Sequence, residues 1–326
     1  MPTEENSLVD ISEIKGQENA KRALLVAAAG GHNVLMSGPP GAGKTMLAQA
    51  LTSIFPPPSL EEVIEINQIY SAAGALGKNV FMNSRPFRFP HHTASPVSVI
   101  GGGATPRPGE ISLAHRGVLF LDEIPEFRRD LLEALRQPME SGYVCVARAK
   151  NVLMFPARFS LVAAMNPCPC GFFGDSEKEC RCTANEVFRY QKKISGPLLD
   201  RIDIQIEVPR IKIEELRASS RDLKKSGEMK EKVLRARKIQ EARFKKIKPR
   251  ILTNSEMSSR QADEIINFDA SAENFLKNIL EKSFVSARGY YRVLKISQTI
   301  ADLEESEKIS ANHLAEAFQY RIRERE

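Results

Sequence analysis

Gly38, Pro39, Pro40, Gly41, Ala42, Gly43, Lys44 and Thr45, in that order, have the types and spacing of a loop that holds phosphate. Glycines let successive backbone N–H groups turn inward around anionic oxygens. A helix beginning at Lys44 points its positive end at the same anion. Lys44 is thereby placed to reach the β- and γ-phosphates of a nucleoside triphosphate, and Thr45 to ligate magnesium.

Further along, GVLFLDE (Gly117 to Glu123) is an apolar run that ends in two acids. In a nucleotide site Asp122 would hold the magnesium, through water, and Glu123 would polarise the attacking water. Asn166 closes a third apolar run, FSLVAAMN, where a neutral amide can orient that water; the competing reading is a turn-former ahead of Pro167. Arg201, in GPLLDRID, suits an arginine that completes a neighbouring subunit's site, or a local ion pair with Asp200 or Asp203. Arg288, in SARGYYR, begins a helix of the terminal region that could fold over the nucleotide; otherwise it is a solvated helix-start arginine, with Arg292 as its rival.

Four of the five cysteines form the pattern C-x-C-x9-C-x-C, as Cys168, Cys170, Cys180 and Cys182. Residues i and i+2 of extended chain face the same side, so each pair can present two thiolates to one structural zinc. Packed reduced thiols and a redox switch are the alternatives. Cys145 reads as a small core residue. His91 and His92 read as a hydrogen-bonded turn, with no metal assigned to them.

The elements that must position these residues follow from apolar periodicity. Gly16 to Gly31 reads as an Ala-rich helix, Asn33 to Met36 as a buried strand, and Lys44 to Ile54 as a helix. A helix near Leu60 to Tyr70 precedes Gly74 to Gly117, which is too long and too rich in Gly, Pro and Ser for a plain connection and reads as an insertion. Tyr143 to Phe155 has two β-prone runs around a polar tip and reads as a hairpin; Ile202 to Val208 is a fourth strand. Beyond Pro209 only helices are expected, near residues 230–246, 270–281, 286–305 and 310–320. The divisions are a linker over 1–15, an α/β core over 16–209, a basic helical connector over 210–250 and a helical region over 251–326.

Composition bounds the rest. A chain of 326 residues with 42% hydrophobic content can bury a large core. The acidic, polar start is no secretory signal, and no apolar run approaches the ~20 residues of a membrane span, so a cytoplasmic location without membrane contact is expected. Disulfides are rarely structural there. The net charge of +6 is concentrated in Arg210 to Arg250, with sixteen Lys/Arg against six Asp/Glu. Such a stretch suits a polyanion, or serves as a solvated connector.

The strings GQENAKRAL, GGHNVLMSGPPGAGKTMLA, RPFRFPHHTAS, GGGATPRPGEISLAHRGVLFLDEIPEF, LVAAMNPCPCG, SGPLLDRID and SARGYYRVLKISQTIADLE together resemble the magnesium-chelatase-like AAA+ ATPases, and among them the ComM/YifB group, from about Asp10 to Arg321. The resemblance implies an α/β P-loop core with a parallel sheet, a helix-2 insert, a pre-sensor-1 hairpin and an all-helical lid. It implies ATP and Mg2+, and a homo-hexameric ring with its sites between subunits. Lys44 and Thr45 then match Walker A, Asp122 and Glu123 Walker B, Asn166 sensor 1, Arg201 the trans-acting finger and Arg288 sensor 2. Insert and hairpin would face the pore, making Arg148 and Lys150 at the hairpin tip candidates for DNA phosphate contact, or a charged tip kept soluble. ComM-like proteins are associated with branch migration on single-stranded or branched DNA in natural transformation. They generally carry an N-terminal Lon-like domain, so a chain starting at the linker would be a short form or a fragment. A chelatase-type motor acting on a protein partner is the alternative function. A non-hydrolysing module fits poorly, because every catalytic position is filled.

Overall fold

Among the described residues five short parallel strands form the central sheet, and the side chains of the three inner strands alternate between two apolar layers. The computed structural model describes residues 9–76, 81–103, 105–148, 151–211, 223–248, 250–282 and 286–321. In chain order the elements up to the first acid pair are α1 (Glu18–Gly30), β1 (Val34–Ser37), α2 (Lys44–Ile54), α3 (Leu60–Ala73), β2 (Phe87–Arg88), α4 (Pro96–Ile100), β3 (Gly101–Gly102), β4 (Arg107–Pro108), α5 (Glu110–Leu113) and β5 (Val118–Leu121). Then come α6 (Arg129–Ala134), α7 (Arg136–Ser141), β6 (Tyr143–Arg148), β7 (Asn151–Pro156), β8 (Ser160–Met165), α8 (Ala184–Gln191), α9 (Gly196–Leu199) and β9 (Ile204–Glu207). The remainder is helical: α10 (Leu223–Phe244), α11 (Ser259–Ile265), α12 (Ala270–Lys282), α13 (Ala287–Leu303) and α14 (Ala311–Gln319).

The sheet order is β2-β5-β8-β1-β9. Val34 pairs with Val162 on one side and Ile204 on the other, so β1 lies between β8 and β9. Val34, Met36, Phe120 and Val162 enter one apolar cluster, together with α1, α2 and the C-terminal helices. Leu35, Leu119, Leu121 and Leu161 enter a second, on the opposite face. Burial on both faces is why these strands read as unbroken apolar runs in the sequence.

Two expectations change. The stretch Gly74 to Gly117 is not wholly an insertion, because Phe87–Arg88 supplies the edge strand β2, parallel to β5. Two residues are too few to leave a periodic signal. The described part of the basic stretch is also more than a solvated connector. In α10, Met229, Val233, Ala236 and Phe244 are buried in the first cluster, Arg237 and Arg243 are partly buried, and Lys230, Lys232, Arg235 and Lys238 stay exposed. Residues 212–222 lie outside the described residues. The helix α3 shows how locally the sequence fixes an end. Ser59 Oγ accepts from the Glu62 amide at 3.3 Å, and the Glu62 carboxylate in turn accepts from the Ser59 amide at 2.9 Å. Among the described residues no helix is long and apolar enough to cross a membrane.

Candidate nucleotide site

Parallel strands put their C-terminal ends on one edge, and the chemistry-bearing residues found in the sequence gather there. Gly38 follows β1, Asp122 and Glu123 follow β5, and Asn166 follows β8, with β8 lying between the other two. Gly43 has φ 86° and opens α2 directly into Lys44. That left-handed backbone is open to glycine without strain, and it starts the helix with its amides facing the loop.

Lys44 is only 9% exposed. Its ammonium donates to Gly38 O at 2.6 Å, Pro39 O at 3.0 Å and Asn166 Oδ1 at 3.1 Å. Burial lowers its pKa, while the charges of Asp122 and Glu123 pull it back up. The Thr45 hydroxyl donates to Asp122 Oδ2 at 2.9 Å, so a hydroxyl and a carboxylate stand side by side. That pair is a hard-oxygen donor set of the kind magnesium takes.

Glu123 sits at φ 51°, an uncommon conformation for a residue with a side chain, and its carboxylate is 54% exposed. Its Oε2 lies 3.7 Å from His92 Nδ1. A cavity of about 450 Å³ opens in front of it, walled by Glu126, Asn166, Pro169 and Tyr190 among others. The pair His91–His92 forms the expected hydrogen-bonded turn, with the Ala94 amide donating to His91 O at 2.9 Å and His91 Nδ1 bonding Thr93. The two rings lie tilted with centroids 4.1 Å apart, and the contact of His92 with Glu123 carries no signal in the sequence.

Arg201 and Arg288 are not part of this cluster. Arg201 precedes β9, so it stands at the N-terminal edge of the sheet. Asn33 fixes it there, donating to Arg201 O at 3.1 Å while its own amide oxygen accepts from Leu161 N. Asn33 to Gly38 is about 16 Å of strand at ~3.3 Å per residue, which puts Arg201 beyond reach of its own phosphate loop. Its guanidinium is 7% exposed, donates to Pro197 O at 2.6 Å and pairs with Glu140, and its Nε has no partner among the described residues. The partner is therefore Glu140 rather than Asp200 or Asp203, and a distance of 61 positions along the chain hid it from sequence reading.

Arg288 is exposed in the first turn of α13. One turn on, Arg292 donates to Ile202 O at 3.3 Å and lies 3.8 Å from Asp203. The start of α13 therefore lies against the Arg201 edge and not over the phosphate loop of the same chain. Between that edge and the helical region is a crevice of about 510 Å³, lined by Arg85, Arg116, Arg158, Arg201, Arg237 and Arg292. Glu62, Glu140, Asp203 and Glu256 offset part of that charge. Burial brings Arg237 down to about 10, and it is held by Ala28 O. Burial opposes ionisation of Asp203, yet His32 and Arg292 hold it down at about 2.

The four spaced cysteines meet. Cys168 Sγ lies 3.3 Å from Cys170 and 3.7 Å from Cys180, Cys170 lies 3.6 Å from Cys180, and all four sulfurs, Cys182 included, fall within 4.8 Å of one another. A tetrahedron with Zn–S bonds of ~2.3 Å has edges of about 3.8 Å, so the cluster fits such an ion. Amide donors, Phe172 first and then Arg181, bring Cys170 down to about 6. The Cys170 amide favours the Cys182 thiolate, but desolvation and the neighbouring thiols push it up to about 12. All five cysteines are free, and Cys145 is only half-buried, with Gln137 Nε2 donating to it.

The hairpin β6–β7 stands apart as a two-stranded sheet, with Val152 65% and Met154 59% exposed. Arg148 pairs with Asn151 in its ladder, and Lys150 lies outside the described residues.

Comparison with known proteins agrees with this arrangement. The family described as magnesium chelatase, subunit ChlI, matches residues 10–216, and its C-terminal family matches 223–321. Competence protein ComM of Haemophilus influenzae is 45% identical over 313 residues, 96% of this chain and 60% of that protein. YifB of Escherichia coli is 42% identical over 97% of this chain and 61% of its own length. The magnesium-chelatase 38 kDa subunit of Rhodobacter capsulatus is 30% identical over 48% of this chain and 49% of its own. The chain thus spans about three-fifths of the length of ComM and YifB. With a parallel sheet ordered as above, a Gly-rich loop entering α2 and a matched helical C-terminal part, the chain belongs to the magnesium-chelatase-like AAA+ family, in its ComM/YifB group.

Proposed function

We propose that the chain is an ATP-hydrolysing subunit of a homo-hexameric cytoplasmic ring that moves DNA, driving branch migration as incoming DNA recombines. The observation that carries the catalytic half is the convergence of Lys44, Thr45, Asp122, Glu123 and Asn166 on one sheet edge, with Arg201 on the other. An arginine facing away from its own phosphate loop can complete a site only on a neighbouring copy. The DNA half rests on likeness to a competence protein along nearly the whole chain.

On this reading the triphosphate lies along Gly38 to Thr45. Lys44 exchanges its carbonyl ligands for the β- and γ-phosphate oxygens. Thr45 and Asp122 would hold Mg2+, which when bound neutralises charge on those oxygens. A water in the cavity gives a proton to Glu123 as its oxygen attacks the γ-phosphorus; the bond to the bridging oxygen breaks, leaving ADP and phosphate. Asn166 aims that water, and Arg201 stabilises the charge that develops on the neighbour's phosphate. Arg288 supplies a second cation beside Arg201. Cys168, Cys170, Cys180 and Cys182 would hold a structural Zn2+, whose chemistry there is to pin the loop after Asn166. Arg148 and Lys150 would touch DNA phosphates at the end of the exposed hairpin. The core over 16–209 then works against a helical lid over 251–326, joined through 210–250.

The test is ATPase rate with and without single-stranded and forked DNA across a salt series. Stimulation that fades as salt rises is expected. An ATPase indifferent to DNA at low salt would instead favour a chelatase-type motor acting on a protein, the reading to which the magnesium-chelatase match gives support.

A further inference from the structure

We propose that metal occupancy of the four-cysteine cluster sets the affinity of the phosphate loop for nucleotide, through contact between Gly171 and Pro40; this rests on the zinc reading above. Gly171 follows Cys170, is buried, and has φ 86°. A Cβ on it would lie 2.6 Å from Pro40 Cδ and 2.7 Å from Pro40 Cγ. The backbone of the cysteine loop is therefore pressed against the ring of a phosphate-loop residue with no slack. The Gly171 amide also donates to Cys168 O at 3.0 Å, closing a tight turn between the first two sulfurs and that contact.

Two further links tie the cluster to the same site. Asn166, two residues before Cys168, accepts from Lys44. Pro169, between the first two cysteines, walls the cavity in front of Glu123. From Pro167 to Thr183 the chain forms no regular helix or strand, so its course is set by such tertiary contacts, chief among them the sulfur cluster. Apart from it, Arg210 reaches Asp175 at 3.0 Å and stacks over Phe172. Without an ion, no metal–sulfur bonds hold the four sulfurs together, and the cluster no longer fixes the course of the loop. Gly171 then withdraws from Pro40, and the loop amides must be ordered when nucleotide binds rather than beforehand. Because such coupling is reciprocal, bound nucleotide must hold the metal more tightly by the same factor.

The experiment uses the chain purified under reducing conditions. Zinc content is measured first. Release of zinc to a zinc-selective chelator is then followed with and without a saturating non-hydrolysable ATP analogue, and a fluorescent ATP analogue is titrated into loaded, stripped and reloaded protein. About tenfold weaker nucleotide binding on stripping is expected, restored by zinc, with zinc held about tenfold more tightly when nucleotide is present. The release measurement needs no stripped protein, so it decides the matter even if stripping unfolds the chain. In Pro40→Ala, which removes the ring carbons, zinc is retained while the two affinities become independent. Zinc bound but indifferent to nucleotide overturns the linkage alone. No tightly bound zinc overturns the linkage and the zinc reading together. A coupling unchanged in Pro40→Ala overturns the route through Gly171.

Discussion

Lys44 Nζ donates to Asn166 Oδ1 at 3.1 Å, which ties the first turn of α2 to the end of β8 across the candidate site. Asn166 thus faces both the lysine that would meet phosphate and the cavity where water would stand. In Asn166→Ala, kcat for ATP is expected to fall about 10²-fold, the scale for losing one aimed polar group, with nucleotide Kd within about threefold. Single-turnover kinetics and analogue titration separate the two. A loss mainly in Kd would make Asn166 a holder of Lys44 and not a guide for water.

Glu123→Gln keeps the size of the side chain and removes the proton acceptor. Nucleotide binding is expected to persist while turnover falls about 10²- to 10⁴-fold, the usual contribution of a general base. Retained turnover would take Glu123 out of that role and direct attention to its neighbour His92, 3.7 Å away.

Arg201 sits at the sheet edge opposite Lys44, so on the proposed reading any effect it has on ATP would have to cross to another subunit. Arg201→Ala is expected to lower turnover about 10³-fold while leaving nucleotide binding intact. Mixing inactive Arg201→Ala with inactive Lys44→Ala protein creates some sites with both residues, and activity should return in part. Mixtures as inactive as either parent would count against a shared site.

Asp203, buried between His32 and Arg292, has a folded pKa of about 2 against an ordinary 3.8. A carboxylate depressed in this way stabilises the fold above the unfolded pKa and loses that contribution as pH falls through the folded one. The window is therefore roughly pH 4 down to pH 2, and the effect at neutral pH is about 2 kcal/mol at ~1.4 kcal/mol per unit. Denaturant unfolding of the native protein and Asp203→Asn checks this. The gap in stability should be widest at pH 7 and narrow towards pH 3; a gap independent of pH would place the effect in hydrogen bonding alone.

Much of the fold was legible because apolar runs and caps act over a few residues. Lys44 to Ile54 was readable as a helix from its spacing, and β5 and β8 from burial on both faces. The edge strand Phe87–Arg88 was not, since two residues carry no period and its pairing with Val118 and Leu119 is a tertiary fact. The basic stretch was read as a charge run, because an excess of lysine hides the sparse apolar stripe of Met229, Val233 and Ala236. Within the candidate site, each residue following a strand could be named from its string. Glu140, His92 and the Gly171–Pro40 contact could not.

The sequence by itself determined the local devices: a glycine-rich turn feeding a helix, two acids ending a buried strand, an amide ending the next, and cysteines spaced to face one way. Each depends on covalent order and short-range geometry, which the chain carries wherever it is folded. Only the tertiary structure decided that β8 separates β1 from β5, bringing Lys44 against Asn166, and that Arg201 and the start of α13 share the far edge. Strand order and edge are set by which apolar faces bury one another across long stretches of chain, and no short string records that competition.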